Sequence, residues 1–276
     1  MFDVGAYLAH LQYEGPVPAP TLETLRDLHK RHLMHVPFDN ALNSAEDRGL
    51  AVWQEVDIDV DETFDSVITG RRGGVCYELN GLFRRLLTDL GFEVGILAGA
   101  VIQVDGQFGP ELEHIFNLVE LDGDRWLVDV GLAGPSYLEP LRLTDDEVQE
   151  QYGVGYRLVP QDDGEDTAAD GTDDNRYRVL QRRSRGEEWR NVYRFKPQLR
   201  KIEDWTDPAY ELVEFPAELL AVGTLIRSRA FDNGQMVLIG KRYVRVVDGV
   251  EEVKVLVDRD LYKATTDAIL APSASA

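Results

Sequence analysis

A single cysteine, Cys76, stands in a chain of 276 residues. One thiol makes no internal disulfide, no CxxC redox pair and no cysteine-rich zinc site. That usage fits a reducing compartment. Basic side chains are also scarce: 29 lysines and arginines face 50 aspartates and glutamates, a formal charge of −21 at neutral pH. Nucleic acid and anionic lipid both attract positive surface, so neither is an expected partner. Long apolar runs are missing too. The longest, Val94 to Ile102, has nine residues, against the ~20 that span a bilayer. Met1-Phe2-Asp3-Val4 leads into neither a basic n-region nor an apolar h-region. A cytoplasmic globular protein is expected.

What is present suffices for a core, since 43% of the residues are hydrophobic. The length allows one large domain or two to three small ones. The first 90 residues read as helical. Leu22, Leu25, Leu28 and Leu33 follow a broadly helical period that should end before Pro37. The clearest helix begins at Cys76. Leu79, Leu82, Phe83, Leu86, Leu87 and Leu90 form one apolar stripe, Gly91 follows as a C-cap, and Arg85 and Asp89 sit four apart on the other face. Beyond Gly91 the pattern turns to strands, at 94–104, 114–121 and 125–130, with Asp122-Gly123 as a hairpin signal. The run 161–175, QDDGEDTAADGTDDN, carries seven acids and no base, and reads as a disordered or solvated loop. Further strands are expected at 176–181, 189–195, 236–239, 243–247 and 252–257, a helical patch at 216–226, and a frayed tail at 271–276.

The cysteine occupies a special place, Arg71-Arg72-Gly73-Gly74-Val75-Cys76-Tyr77-Glu78. Two glycines allow a tight turn with unusual backbone angles, and the helix starts at the thiol itself. Helix-start amides and the macrodipole favour negative charge there, on a sulfur or on a developing oxyanion. The plain alternative is a small buried hydrophobe. A nucleophile needs a base and the base an orienting group. His10, His29, His32 and His35 lie in the helical region without a convincing metal-ligand spacing, and read as surface or partly buried helix residues. His114 opens a strand, and Asp129 is a lone acid in Trp126-Leu127-Val128-Asp129-Val130. Folded about Asp122-Gly123, the two lie at similar distances from the turn and can be cross-strand neighbours. On spacing alone the alternative stays open that Asp129 caps a turn with Gly131 and His114 is a loop residue.

The segment RRGGVCYELNGLF, a later strand histidine and then LVDVG resemble the arylamine N-acetyltransferase family. Val36-Pro37-Phe38-Asp39-Asn40 is similar to that family's PFEN segment, with Asp39 for the usual Glu. Pro140 to Leu143 is similar to the segment after the family's aspartate. The likeness extends over residues 1–160. It implies an α+β fold in three parts: a helical bundle at 1–92 carrying the nucleophile, a β-barrel at 93–200 carrying His and Asp, and an α/β lid at 201–276. It implies a Cys76-His114-Asp129 triad, with Phe38, Val75 and Tyr77 at the substrate and Arg72 and Glu78 charge-paired around the turn. The reaction implied is ping-pong acyl transfer from a thioester to Cys76 and then to an arylamine. The donor would be acyl-CoA or an acyl carrier protein thioester, with no permanently bound cofactor and no metal. Phe38 to Asn43 and Gly134 to Pro140 look closer to the family's macrolactam-forming amide synthases, which close an amino-polyketide released from a carrier protein. The basic clusters Arg182-Arg183-Ser184-Arg185 and Arg194 to Lys201 are the local candidates for meeting such a carrier. A cysteine thioester hydrolase on the same triad is a further alternative. The chain departs from the family pattern at Glu113, in the acidic run, and at Thr224 to Phe231, a distorted form of the family's lid motif.

Overall fold

A computed structural model describes residues 1–41, 58–161, 175–205 and 224–271. The N-terminal part holds α1 (Val4–His10), α2 (Leu22–His35), α3 (Val60–Phe64) and α4 (Cys76–Asp89). Asp3, Thr21 and Asp59 cap the first three, each side chain accepting a hydrogen bond from a first-turn amide. α2 stops at His35, as Pro37 requires. In α4, Leu79, Leu82, Phe83, Leu86 and Leu87 are fully buried, each worth about 1.5–3 kcal/mol. On its outer face Arg85 Nε donates to the Asp89 carboxylate at 2.9–3.0 Å.

The middle of the chain forms β2 (Glu93–Val101), β3 (His114–Leu121), β4 (Asp124–Val128), β5 (Leu141–Arg142), β6 (Gln149–Gln151), β7 (Val154–Gln161), β8 (Tyr177–Arg183) and β9 (Arg190–Phe195). They make one nearly closed barrel in the order β5-β4-β3-β2-β9-β8-β7-β6. Asp122 and Gly123 both have positive φ, 53° and 83°, and Leu121 pairs with Asp124. This is the two-residue hairpin turn that the DG dipeptide announces. β3 is buried on both faces. Ile115 and Val119 pack against the helices, while Phe116 and Leu118 join Leu158, Tyr193 and Phe195 inside the barrel.

A five-stranded antiparallel sheet completes the molecule, in the order β1 (Phe38–Asp39), β10 (Ile226–Phe231), β11 (Gly234–Ile239), β12 (Arg242–Val247) and β13 (Val250–Val255), with α5 (Arg259–Leu270) beside it. β1 joins distant parts of the chain. Phe38 pairs with Ser228 of β10 and bridges Gly74, just before α4.

Several expectations change. The first 90 residues are not wholly helical, because β1 interrupts them. The strand expected to 104 ends at Val101, and that expected to 130 ends at Val128. β6, β7, β10 and α5 were not legible in the pattern. The helical patch at 216–226 lies outside the described residues up to 223, and Ile226 opens a strand. Most of the acidic run, 162–174, and the tail 272–276 also lie outside them.

Candidate active site

The Gly73-Gly74 pair works by close approach, not by unusual angles. Neither glycine has positive φ; the left-handed residue is Arg71, at 54°. A Cβ on Gly73 would lie 2.6 Å from the Cβ of Asp39 and 2.9 Å from the Pro37 carbonyl oxygen. Asp39 N–H donates to the Gly74 carbonyl at 3.0 Å, and Gly74 N–H donates to the Pro37 carbonyl at 3.2 Å. The turn is thereby laced to β1 and delivers Cys76 to the first position of α4. Glu78 finishes the helix start: its carboxylate accepts from Val75 N–H at 3.0 Å and pairs with Arg72.

Three sequence-nominated side chains meet here. His114 Nε2 donates to Asp129 Oδ2 at 2.7 Å, both side chains being buried. Cys76 lies beside the His114 ring, close enough to add to the rise of its pKa. With Nε2 committed to the carboxylate, Nδ1 is the nitrogen left to face sulfur. His114 and Asp129 are not ladder neighbours, because β4 ends at Val128, where it pairs with Asn117. Asp129 reaches His114 from the turn that follows. Gly131 makes that turn fit. A Cβ there would lie 2.7 Å from Cys76 Cα and 2.6 Å from Asn80 Nδ2.

The charges are strongly coupled. Burial alone would lower the pKa of His114, but the Asp129 charge, its hydrogen bond and Cys76 outweigh burial and raise it to about 10. Burial would raise the Asp129 carboxyl, but the His114 charge, with bonds from His114, Asn80 and Gly131, holds it below its usual range. Phe116 stacks on the His114 ring at 5.7 Å, and Tyr193 packs against it at 5.6 Å.

Two further side chains fix Asp129. Asn80 Nδ2 donates to Asp129 Oδ1 at 3.0 Å and to the Ile115 carbonyl at 2.8 Å, while its Oδ1 accepts from Val130 N–H at 3.0 Å. His29 Nε2 accepts from Asp129 N–H at 3.2 Å, and its Nδ1–H donates to the Leu138 carbonyl at 2.9 Å. Burial lowers the pKa of His29 to about 4, so the ring is neutral. The expectation of surface or partly buried helix histidines is wrong for His29 and His32, which are fully buried. The sequence carries a signal for Asn80 and for the two buried histidines. Asn80 is one helical turn after Cys76, and His29 and His32 continue the stripe of Leu22 and Leu25.

Phe38 is 7% exposed and lines a small cavity with Val36, Val130, Leu132 and Ser228. Val75 and Tyr77 are buried in the core on either side of Cys76. Among the described residues no cluster of three or more His, Cys, Asp or Glu is placed to hold a metal. Among them, too, no helix is long and apolar enough to cross a membrane.

A cysteine on a helix start, beside a histidine that bonds a buried aspartate, is an arrangement that suits thiol-mediated acyl transfer. The family model described as N-acetyltransferase matches residues 21–270. Proansamycin X synthase of Amycolatopsis mediterranei (strain S699) is 39% identical over 98% of this chain and 97% of its own length. Arylamine N-acetyltransferase of Escherichia coli (strain K12) is 28% identical over 88% of this chain and 79% of its own. The structure of Mycobacterium marinum arylamine N-acetyltransferase in complex with CoA superposes with a TM-score of 0.74 at 29% identity, over 97% of this chain and 93% of that one. The chain belongs to the arylamine N-acetyltransferase family and is an acyltransferase.

Proposed function

We propose that this protein forms an amide by ping-pong acyl transfer through Cys76, with His114 as base and Asp129 as its orienting partner. His114 Nδ1 takes the thiol proton, and Sγ attacks the thioester carbonyl. Amides at the start of α4 face the developing oxyanion. The tetrahedral intermediate collapses with loss of the donor thiolate, which receives the proton from His114. An amine nitrogen then attacks the Cys76 thioester, His114 removes its proton, and the amide leaves as Sγ is reprotonated. Asp129 keeps Nε2–H bonded throughout, so Nδ1 always faces sulfur. Val75 and Tyr77 supply the floor under the thiol, and Phe38 an apolar wall. The parts 1–92, 93–200 and 201–276 divide the work: nucleophile, base with its orienting acid, and cover. A cytoplasmic location suits a nucleophile that must stay reduced.

For the substrates, we favour a long amino-acyl thioester whose own aryl amine closes the ring. The observation that carries this reading is the 39% identity to proansamycin X synthase across nearly the full length of both chains. Acetyl-CoA with a separate arylamine is the second reading, favoured by the likeness to the CoA complex. An aminophenyl-terminated acyl N-acetylcysteamine thioester, followed by mass spectrometry, separates them. The first reading expects a product smaller than the linear acid by one water. Acetylation of free aniline with no cyclisation would leave the second. Rapid release of the linear acid alone would mark a thioester hydrolase.

A further inference from the structure

We propose that the outer face of β7, β8 and β9 is the docking surface for an acidic acyl carrier protein that presents the donor thioester; this rests on the amide-synthase reading above. The chain is strongly acidic, yet these three adjacent strands contain six arginines and no aspartate or glutamate: Arg157 in β7, Arg178, Arg182 and Arg183 in β8, and Arg190 and Arg194 in β9. Three are neutralised. Arg178 pairs with Asp145, Arg182 with Glu251, and Arg190 with Glu187 and Glu251.

The others are not. Among the described residues no carboxylate pairs with Arg157, Arg183 or Arg194, nor with Arg185 in the turn after β8. Three of these lie on aromatic rings instead. Arg157 and Arg183 sit 4.3 and 4.6 Å from the centre of the Trp189 ring, and Arg157 Nε is tied to Gln181 Oε1 at 2.9 Å. Arg194 lies 4.7 Å from the Tyr177 ring and 5.2 Å from Phe108. A flat guanidinium on a ring is held in place without losing its charge. Two such cations on one indole repel each other, a cost that a bound anion would relieve. Rigid positive charge on an otherwise negative molecule steers an acidic partner to one face and repels it from the rest.

Along the sheet, Gly99 of β2 pairs with His114 on one side and with Phe195 on the other, so Arg194 of β9 lies two strands from the base, about 10 Å at usual strand spacing. Arg194 alternates with the inward Tyr193 and Phe195 and faces away from the barrel interior, where the His114 ring packs on Phe116 and Tyr193.

The test compares two donors of one acyl group. One is hexanoyl on the phosphopantetheine arm of an acyl carrier protein; the other is hexanoyl-N-acetylcysteamine, which is small and uncharged. The readout is the rate of hexanoyl transfer to Cys76 by intact mass. The double variant Arg183→Glu/Arg185→Glu, both sites exposed, should acylate at least about tenfold more slowly from the carrier and at an unchanged rate from the small thioester. The wild-type rate from the carrier alone should fall as salt rises from about 50 to 500 mM, which needs no variant to fold. Unchanged carrier transfer in the double variant, without salt dependence, would overturn the docking face and leave the amide-synthase reading standing. A wild type that is acylated by the small thioester but not by the carrier would overturn the carrier as donor. Binding to anionic phospholipid vesicles in place of the carrier would also overturn it.

Discussion

Two fully buried histidines touch Asp129 from opposite sides of its turn. On the barrel side, His114 of β3 meets the carboxylate; on the helix side, His29 of α2 meets the backbone N–H. Burial pushes both rings toward the neutral form. Next to the carboxylate the outcome reverses and His114 rises to about 10, while His29 falls to about 4. The same side chain is thus a proton carrier on one side and a neutral strut on the other. What decides is whether it faces an oxygen that bears charge or an N–H that bears none.

The sharpest way to break this contrast is Asp129→Asn. It removes the charge and leaves the N–H that His29 holds. Acyl transfer should fall by about 10⁴-fold, as expected when a buried orienting acid loses its charge. The His114 resonance, followed by NMR in the unacylated enzyme, should titrate far lower, since burial then acts unopposed. His29→Gln attacks the other side and should be milder. A displaced Asp129 costs up to about 10²-fold in acylation, and His114 should keep its raised pKa because the carboxylate remains. A His114 titration that falls equally in both variants would erase the distinction between the two sides.

Asn80→Leu tests the support common to both. It leaves the Ile115 carbonyl and Val130 N–H without their partner, and removes one bond to Asp129. A loss of about 1–3 kcal/mol in denaturant unfolding is expected.

The smallest effect is in the pH dependence of stability. His114 has a folded pKa above its ordinary 6.5, so its pairing contributes fully below pH 6.5 and is lost as pH rises through about 10. Asp129 has a folded pKa below its ordinary 3.8, so its contribution is present above pH 3.8 and fades as pH falls through the folded value. The gap in unfolding free energy between wild type and Asp129→Asn should be widest between pH 3.8 and 6.5 and should narrow toward pH 10. A gap that stays constant to pH 10 would show that His114 is not held charged by Asp129.

Much of the site was readable because its parts carry local signals. The cysteine follows two glycines and opens the most regular helix in the chain. The histidine opens a strand, and the DG dipeptide fixes the hairpin between histidine and aspartate. What could not be read depends on contacts between distant segments. The ladder stops one residue short of Asp129, so the acid reaches His114 from a turn whose path depends on Gly131 lying against Cys76. Gly73 is needed because β1 runs beside it, some 35 residues earlier in the chain, and Gly74 because the Leu79 and Glu78 side chains of α4 fold back onto it. β1 is two residues long and has no periodicity to detect. β10 follows the same rule: its partners are β1 and β11, and Arg227 is placed by an ion pair with Asp39. The role of His29 is not legible in the sequence, because a polar residue on an apolar stripe reads as a lapse in the pattern until its partners, the Asp129 amide and the Leu138 carbonyl, are in view.

The most direct test of covalent transfer through Cys76 is intact-mass spectrometry after single-turnover mixing with hexanoyl-N-acetylcysteamine, followed by addition of an arylamine. One added acyl group is expected, located on Cys76 by peptide mapping, which the amine discharges as the corresponding amide. Amide formed at the same rate by Cys76→Ala, with no acyl group on the protein at any time, would contradict it.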